Sequence, residues 1–256
     1  MRPPRALWVP FALGRPLGSA DDPEFQKNVM RAAFDMLETI SEPTISDYLI
    51  EAPLEADAQD WVCPVSFAPV KDGTHTARLM AEVARLAPWS AETRAARGGR
   101  TLFGACGVAD DDIETVARAL GMLADDGGMN AAPDLGVAWK FSMPLLVRHL
   151  ADDMRTFYHE AIASQPGPGA PNHEALTAWI FGADGQTGTA LGDALLTIAE
   201  HLTTDNRLVS LLVRGWMIPE GFFREGNAFP TAEEFEASRS NSNSLSDWFS
   251  ADEPDT

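Results

Sequence analysis

The order of apolar runs in the first fifty residues most constrains what this chain can fold into. Ala6 to Leu13 is apolar, with Trp8, Val9 and Phe11, and reads as a strand. Pro10 confines that strand to an edge or an irregular end, because proline cannot donate to a ladder. Gly14-Arg-Pro-Leu-Gly18 is a turn-rich loop. Asp21-Asp22-Pro23-Glu24 then carries the start signals of a helix. Asp22 suits the N-cap, Pro23 the first helical position, and Glu24 the positive helix end. Phe25, Val29, Ala32, Ala33, Met36, Leu37 and Ile40 recur at helical spacing and predict one buried face. Pro43 stops this helix, and Ile45 to Ile50 is a second strand. The segment thus reads strand, loop, helix, strand.

The rest of the chain reads mainly as helix. Residues 51–73 carry Pro53, Pro64, Pro69 and Gly73 and look irregular around an apolar island, Trp61 to Phe67. Thr76 to Leu86 predicts a helix bounded by Pro88, and Thr101 to Gly107 a short strand or turn. Asp110, Asp111 and Asp112 cap a helix running to about Ala124. Further helices are expected over Pro144 to Ala163, Glu174 to Phe181 and Gly188 to Leu202, and Asp205 to Met217 closes the ordered part. From Thr231 the composition turns acidic and serine-rich, which predicts a disordered tail. The expected fold class is therefore α/β or α+β. A small sheet from the N-terminal strand-loop-helix-strand, to which Thr101 to Gly104 could add, joins a predominantly helical body. In domain terms, residues 1–230 form a single globular domain (1–50 strand-loop-helix, 51–230 mainly helical), and 231–256 form the tail.

Charge and cysteine content narrow the function classes. Hydrophobic residues make up 45% of the 256, enough for a packed core. The net charge of −19 argues against nucleic acid and against anionic membrane surfaces, since both need clustered Lys and Arg. No run approaches the roughly 20 apolar residues that span a bilayer. Two cysteines are too few for a disulfide scaffold, which points to a cytoplasmic protein with reduced thiols.

Candidate chemistry is sparse. Cys106, in Phe103-Gly-Ala-Cys-Gly-Val just before the aspartate-capped helix, could be a nucleophile activated by a helix end. The aspartates at 110–112 oppose thiolate formation, and a small buried residue at a tight turn is the alternative. Cys63 precedes Pro64 and is either a second reactive thiol or core packing. Arg15, between Gly14 and Gly18, sits where α/β folds place ligands and could clamp a substrate carboxylate; it could equally pair with Asp21 or Asp22. His149 and Asp153 share a helix face at i, i+4 and could bind a metal, or simply line a solvated surface. No cofactor motif is present.

The passage Val9-Pro-Phe-Ala-Leu-Gly-Arg-Pro-Leu-Gly18, followed by Asp-Asp-Pro-Glu-Phe-Gln and Arg31 to Leu37, resembles the last segment of the glycine/sarcosine/betaine reductase selenoprotein B family. The resemblance covers about the first forty residues and contains no catalytic group. In that family the reactive selenocysteine or cysteine lies upstream of this passage, so it has no counterpart here. The resemblance implies a companion subunit or divergent relative of such a reductase, an oxidoreductase component if enzymatic at all. Its partner would be a cysteine- or selenocysteine-bearing α/β subunit acting on a small molecule. A helical binding or scaffold protein and a metal-dependent enzyme built on His149 are the other readings.

Overall fold

The computed structural model describes residues 5–11, 16–18, 22–50, 73–126, 133–165, 173–182, 188–205, 207–219, 221–222 and 231–241. They fall into two compact units, residues 1–61 and 62–256. The sequence alone gives no composition break at that position and leads one to expect a single domain over residues 1–230.

The first unit is a βαβ arrangement. β1 (Arg5–Trp8) and β2 (Thr44–Asp47) pair in parallel, with Arg5 opposite Thr44 and Trp8 opposite Asp47, and α1 (Pro23–Thr39) crosses between them. Asp22 caps α1 as expected, accepting from the Phe25 amide at 3.0 Å. Both strands are shorter than predicted, but the Tyr48 amide still donates to the Trp8 carbonyl at 2.8 Å beyond the end of β2. A trio of rings closes the inner layer. Phe11 lies 5.5 Å from Phe25 and 6.0 Å from Tyr48, and Phe25 lies 6.3 Å from Tyr48. The buried face of α1 is narrower than the periodicity suggested. Val29 and Met36 are buried, whereas Ala33 and Leu37 face out.

The second unit is helical. It comprises α2 (His75–Ala96), α3 (Ile113–Asp126), α4 (Met143–Ala163), α5 (His173–Phe181), α6 (Ala190–Leu202), α7 (Leu208–Met217) and α8 (Ala232–Asn241). α2 packs on α3 and α4; α6 contacts α2, α3, α5 and α7. The core is apolar, with Leu79, Leu86, Leu120, Leu146, Leu150, Met154, Leu191 and Leu195 sealed from solvent. α2 continues a full ten residues past its expected end because Pro88 lies inside it. An interior proline costs about 3 kcal/mol, but the buried stripe Leu79, Val83, Leu86, Ser90 and Thr93 runs across it, and packing against α3 and α4 outweighs the lost bond.

Two further expectations change. Thr101 to Gly104 joins no sheet among the described residues; the Phe103 amide donates to the Thr101 hydroxyl at 3.0 Å and the Gly104 amide to Asp153 of α4 at 2.8 Å. The start of the acidic tail is a helix, α8. Thr231 and Glu234 form a reciprocal capping box, the Glu234 amide donating to the Thr231 hydroxyl at 3.2 Å and the Thr231 amide to the Glu234 carboxylate at 2.7 Å. Buried Arg214 of α7 donates to the same carboxylate at 3.0 Å. Among the described residues no helix is long and apolar enough to cross a membrane.

Candidate functional site

The densest polar site is built by α4. Asp153 and Glu160 lie seven residues apart, two helical turns, and so project from one face. Both occupy the buried stripe that includes Leu146, Leu150 and Phe157, and both are almost wholly sealed from solvent. A buried carboxylate needs partners, and each finds them in α2 or in the connection from α2 to α3.

Asp153 gathers three successive backbone amides. Gly104 and Ala105 donate to its Oδ1 at 2.8 Å each, and Cys106 to its Oδ2 at 3.0 Å. A chain that presents three consecutive amides to one point must turn sharply there. Gly104 and Gly107 take positive φ, 116° and 86°, on either side of the turn, a conformation glycine adopts without a steric penalty.

Glu160 serves α2 and the start of the same connection. Its Oε2 accepts from Arg94 Nε at 2.6 Å and from the Ser90 hydroxyl at 3.1 Å, and its Oε1 accepts from the Thr101 hydroxyl at 2.5 Å. Thr93 donates to the Glu160 carbonyl. Arg94 also donates to the Asp110 carbonyl and lies over the Phe103 ring, 5.3 Å from its centre. The two acids therefore staple residues 101–110 onto the bundle.

This arrangement decides the role of several predicted residues. The Cys106 thiol is a free, buried group, pushed up to about 12 by burial first and by the adjacent Asp153 second. A thiol raised in this way stays protonated near neutrality, which favours the small buried residue at a tight turn over the activated nucleophile. The helix it was expected to precede begins seven residues later, at Ile113, so no helix end supports a thiolate. Asp153 is likewise withdrawn from metal binding, because both its oxygens are engaged by amides. His149, one turn earlier on α4, packs its ring against Trp139 at 5.2 Å. Among the described residues no group of three or more His, Cys, Asp or Glu could hold a metal ion. Gly18 takes a left-handed φ of 88° and is buried, as a turn glycine. Gly14, Arg15 and Cys63 lie outside the described residues.

The sequence reading missed Glu160 as a hub, and with it Arg94, Ser90 and Thr101. The available signal was an acid at a position where the helical apolar stripe of α4 calls for a hydrophobic residue. Comparison with protein-family models, with curated proteins and with solved structures finds no match to this chain.

Proposed function

We propose that this chain is a non-catalytic companion subunit of a selenoprotein B-type reductase system, which docks through its N-terminal unit on the α/β partner that carries the reactive thiol or selenol. The observation that supports it is the apolar surface exposed on the described strands and helix of that unit. Parallel sheets are normally covered on both faces and contain more than two strands. Among the described residues the sheet has two parallel strands, with Trp8 and Ile45 exposed at 56% and 62%. On α1, Met30, Phe34 and Leu37 form an outward apolar stripe at i, i+4 and i+7, opposite the face that covers the sheet. A layer that is apolar on both outer faces is suited to lie inside a larger α/β assembly.

Features of the helical unit support the non-catalytic part of this reading. Its two most buried carboxylate clusters are occupied by structural donors, and its thiol is held protonated. The resemblance of the first forty residues supplies the type of partner, and chemistry on the small amino-acid-like substrate would be the partner's. The reading places the chain in the reducing cytoplasm, where thiols such as Cys106 stay free.

The test is site-specific photo-cross-linking of the full chain in the cells that make it. Cross-linkers at Phe34 and Ile45 should capture an α/β protein with a cysteine or selenocysteine site. The double substitution Trp8→Glu with Ile45→Glu should abolish capture. Cross-links confined within one copy of the chain, or reductive cleavage by the purified chain alone, would overturn the reading.

A further inference from the structure

Arg214 of α7 is the one arginine among the described residues that is sealed from solvent, at 3% exposed. It shares the inward side of α7 with Val209, Val213 and Met217. A guanidinium cannot give up its charge, so its burial calls for an anion. That anion comes from α8, where Glu234 Oε1 accepts from Arg214 Nη2 at 3.0 Å. The pair is only half made. Arginine presents Nε–H and one Nη2–H along the same edge, a fork that fits both oxygens of one carboxylate. Here Glu234 Oε2 accepts instead from the Thr231 amide at 2.7 Å. Arg214 Nε is left buried, with no hydrogen-bond partner among the described residues. The helix that covers this cation buries little else. Of the side chains described on α8, Glu233, Glu236 and Ala237 face solvent, Glu234 and Phe235 are half-buried, and Ser238 is buried. A helix of ten residues is marginal without a buried apolar face, and an element so held opens at a lower free energy than the core beneath it.

We propose that Arg214 is a carboxylate-binding site that α8 fills in cis, and that an acidic segment of a partner protein takes the site when α8 lifts. The cis occupant sets the chemistry of the ligand, a glutamate followed by an aromatic residue, as in Glu234-Phe235. A carboxylate that is not tied into a capping box accepts from both Nε and Nη2, replacing one hydrogen bond with a bidentate pair. That gain offsets the advantage that tethering gives Glu234. With α8 seated, the cation is covered and paired. With α8 lifted, Arg214 offers its whole fork on the surface of α7. The net charge of −19 does not forbid an acidic ligand, because charges more than about 8 Å apart are screened at physiological salt. The site belongs to the helical unit and does not depend on the partner proposed for the N-terminal unit.

The experiment is fluorescence anisotropy of a labelled peptide with the sequence of residues 232–241, which lacks Thr231, added to the full chain at about 0.15 M salt. In the chain, Glu234→Gln keeps an acceptor for the capping box but loses the charge, so α8 is loosened without being removed. The peptide should bind this variant about tenfold more tightly than wild type, whose own glutamate competes from the same chain. The same peptide carrying Glu234→Gln should bind about tenfold more weakly. Arg214→Lys, added to the Glu234→Gln chain, keeps a charge without the fork and should also lose about tenfold. Hydrogen exchange of the wild-type chain supplies a readout free of any variant's folding. Saturating peptide should accelerate exchange at the α8 amides and leave α7 protected. Absence of binding to the Glu234→Gln chain, equal binding after Arg214→Lys, or unchanged α8 exchange at saturating peptide would overturn the proposal.

Discussion

Replacing Asp153 with alanine tests whether the α2–α3 connection is held by that carboxylate. The variant removes the acceptor of three amides at 2.8, 2.8 and 3.0 Å. Gly104 and Ala105 lie at an exposed edge, so their amides regain water, and each loss costs about 1 kcal/mol. The Cys106 amide is buried and has no such replacement, which adds about 1–3 kcal/mol. The sum is about 4 kcal/mol. For a unit of this size that lowers Tm by roughly 10 °C. Urea titration followed by far-ultraviolet circular dichroism reads the change as a lower midpoint at constant slope. Asp153→Asn keeps one oxygen acceptor and should fall about halfway. Hydrogen exchange at residues 104–106 should accelerate in the alanine variant before any change in α4. An alanine variant within about 0.5 kcal/mol of wild type would refute the reasoning, because it would mean the turn is held by something other than Asp153.

Two shorter predictions follow from the same unit. Alkylation mapped by peptide mass should leave Cys106 unmodified in the native chain at pH 8 and label it on unfolding; rapid native labelling would contradict a buried thiol pushed up to about 12. Gly192→Ala would set a Cβ 1.9 Å from the Ile180 carbonyl oxygen, forcing α5 and α6 apart. A net loss of about 2 kcal/mol is expected despite the roughly 1 kcal/mol gained in helix propensity, and a raised Tm would show that the contact yields easily.

Local signals in the sequence translated well, and long-range ones did not. Asp22 caps α1 through an amide three residues away, so the motif contains its own partner. The order strand, helix, strand was legible for the same reason. Pro88 misled because its cost is local while the packing that outweighs it comes from α3 and α4. The partners of Asp153 and Glu160 lie between 47 and 70 residues away, and no spacing rule reaches that far. The two readings of Cys106 stayed open in the sequence because the carboxylate that holds its amide lies 47 residues away. The Thr231 and Glu234 capping box was in the sequence, but the polar composition around it hid a helix that Arg214 anchors. The outward stripe Met30, Phe34 and Leu37 was blurred because inner and outer apolar positions of α1 overlap in the heptad.

The spacing of Asp153 and Glu160 has a mechanical consequence. Two anchor points separated by two turns lie about 10 Å apart along the α4 axis. A single anchor would let a helix swivel about it, but two fix its direction and its axial position together. Sliding α4 by one turn would break the amide cluster and the Arg94 pair in the same movement, so intermediate positions have no partial reward. α4, the end of α2 and residues 101–110 therefore behave as one stiff frame. α6, joined to α2 through the Ala190 amide and Glu82, lies outside that frame.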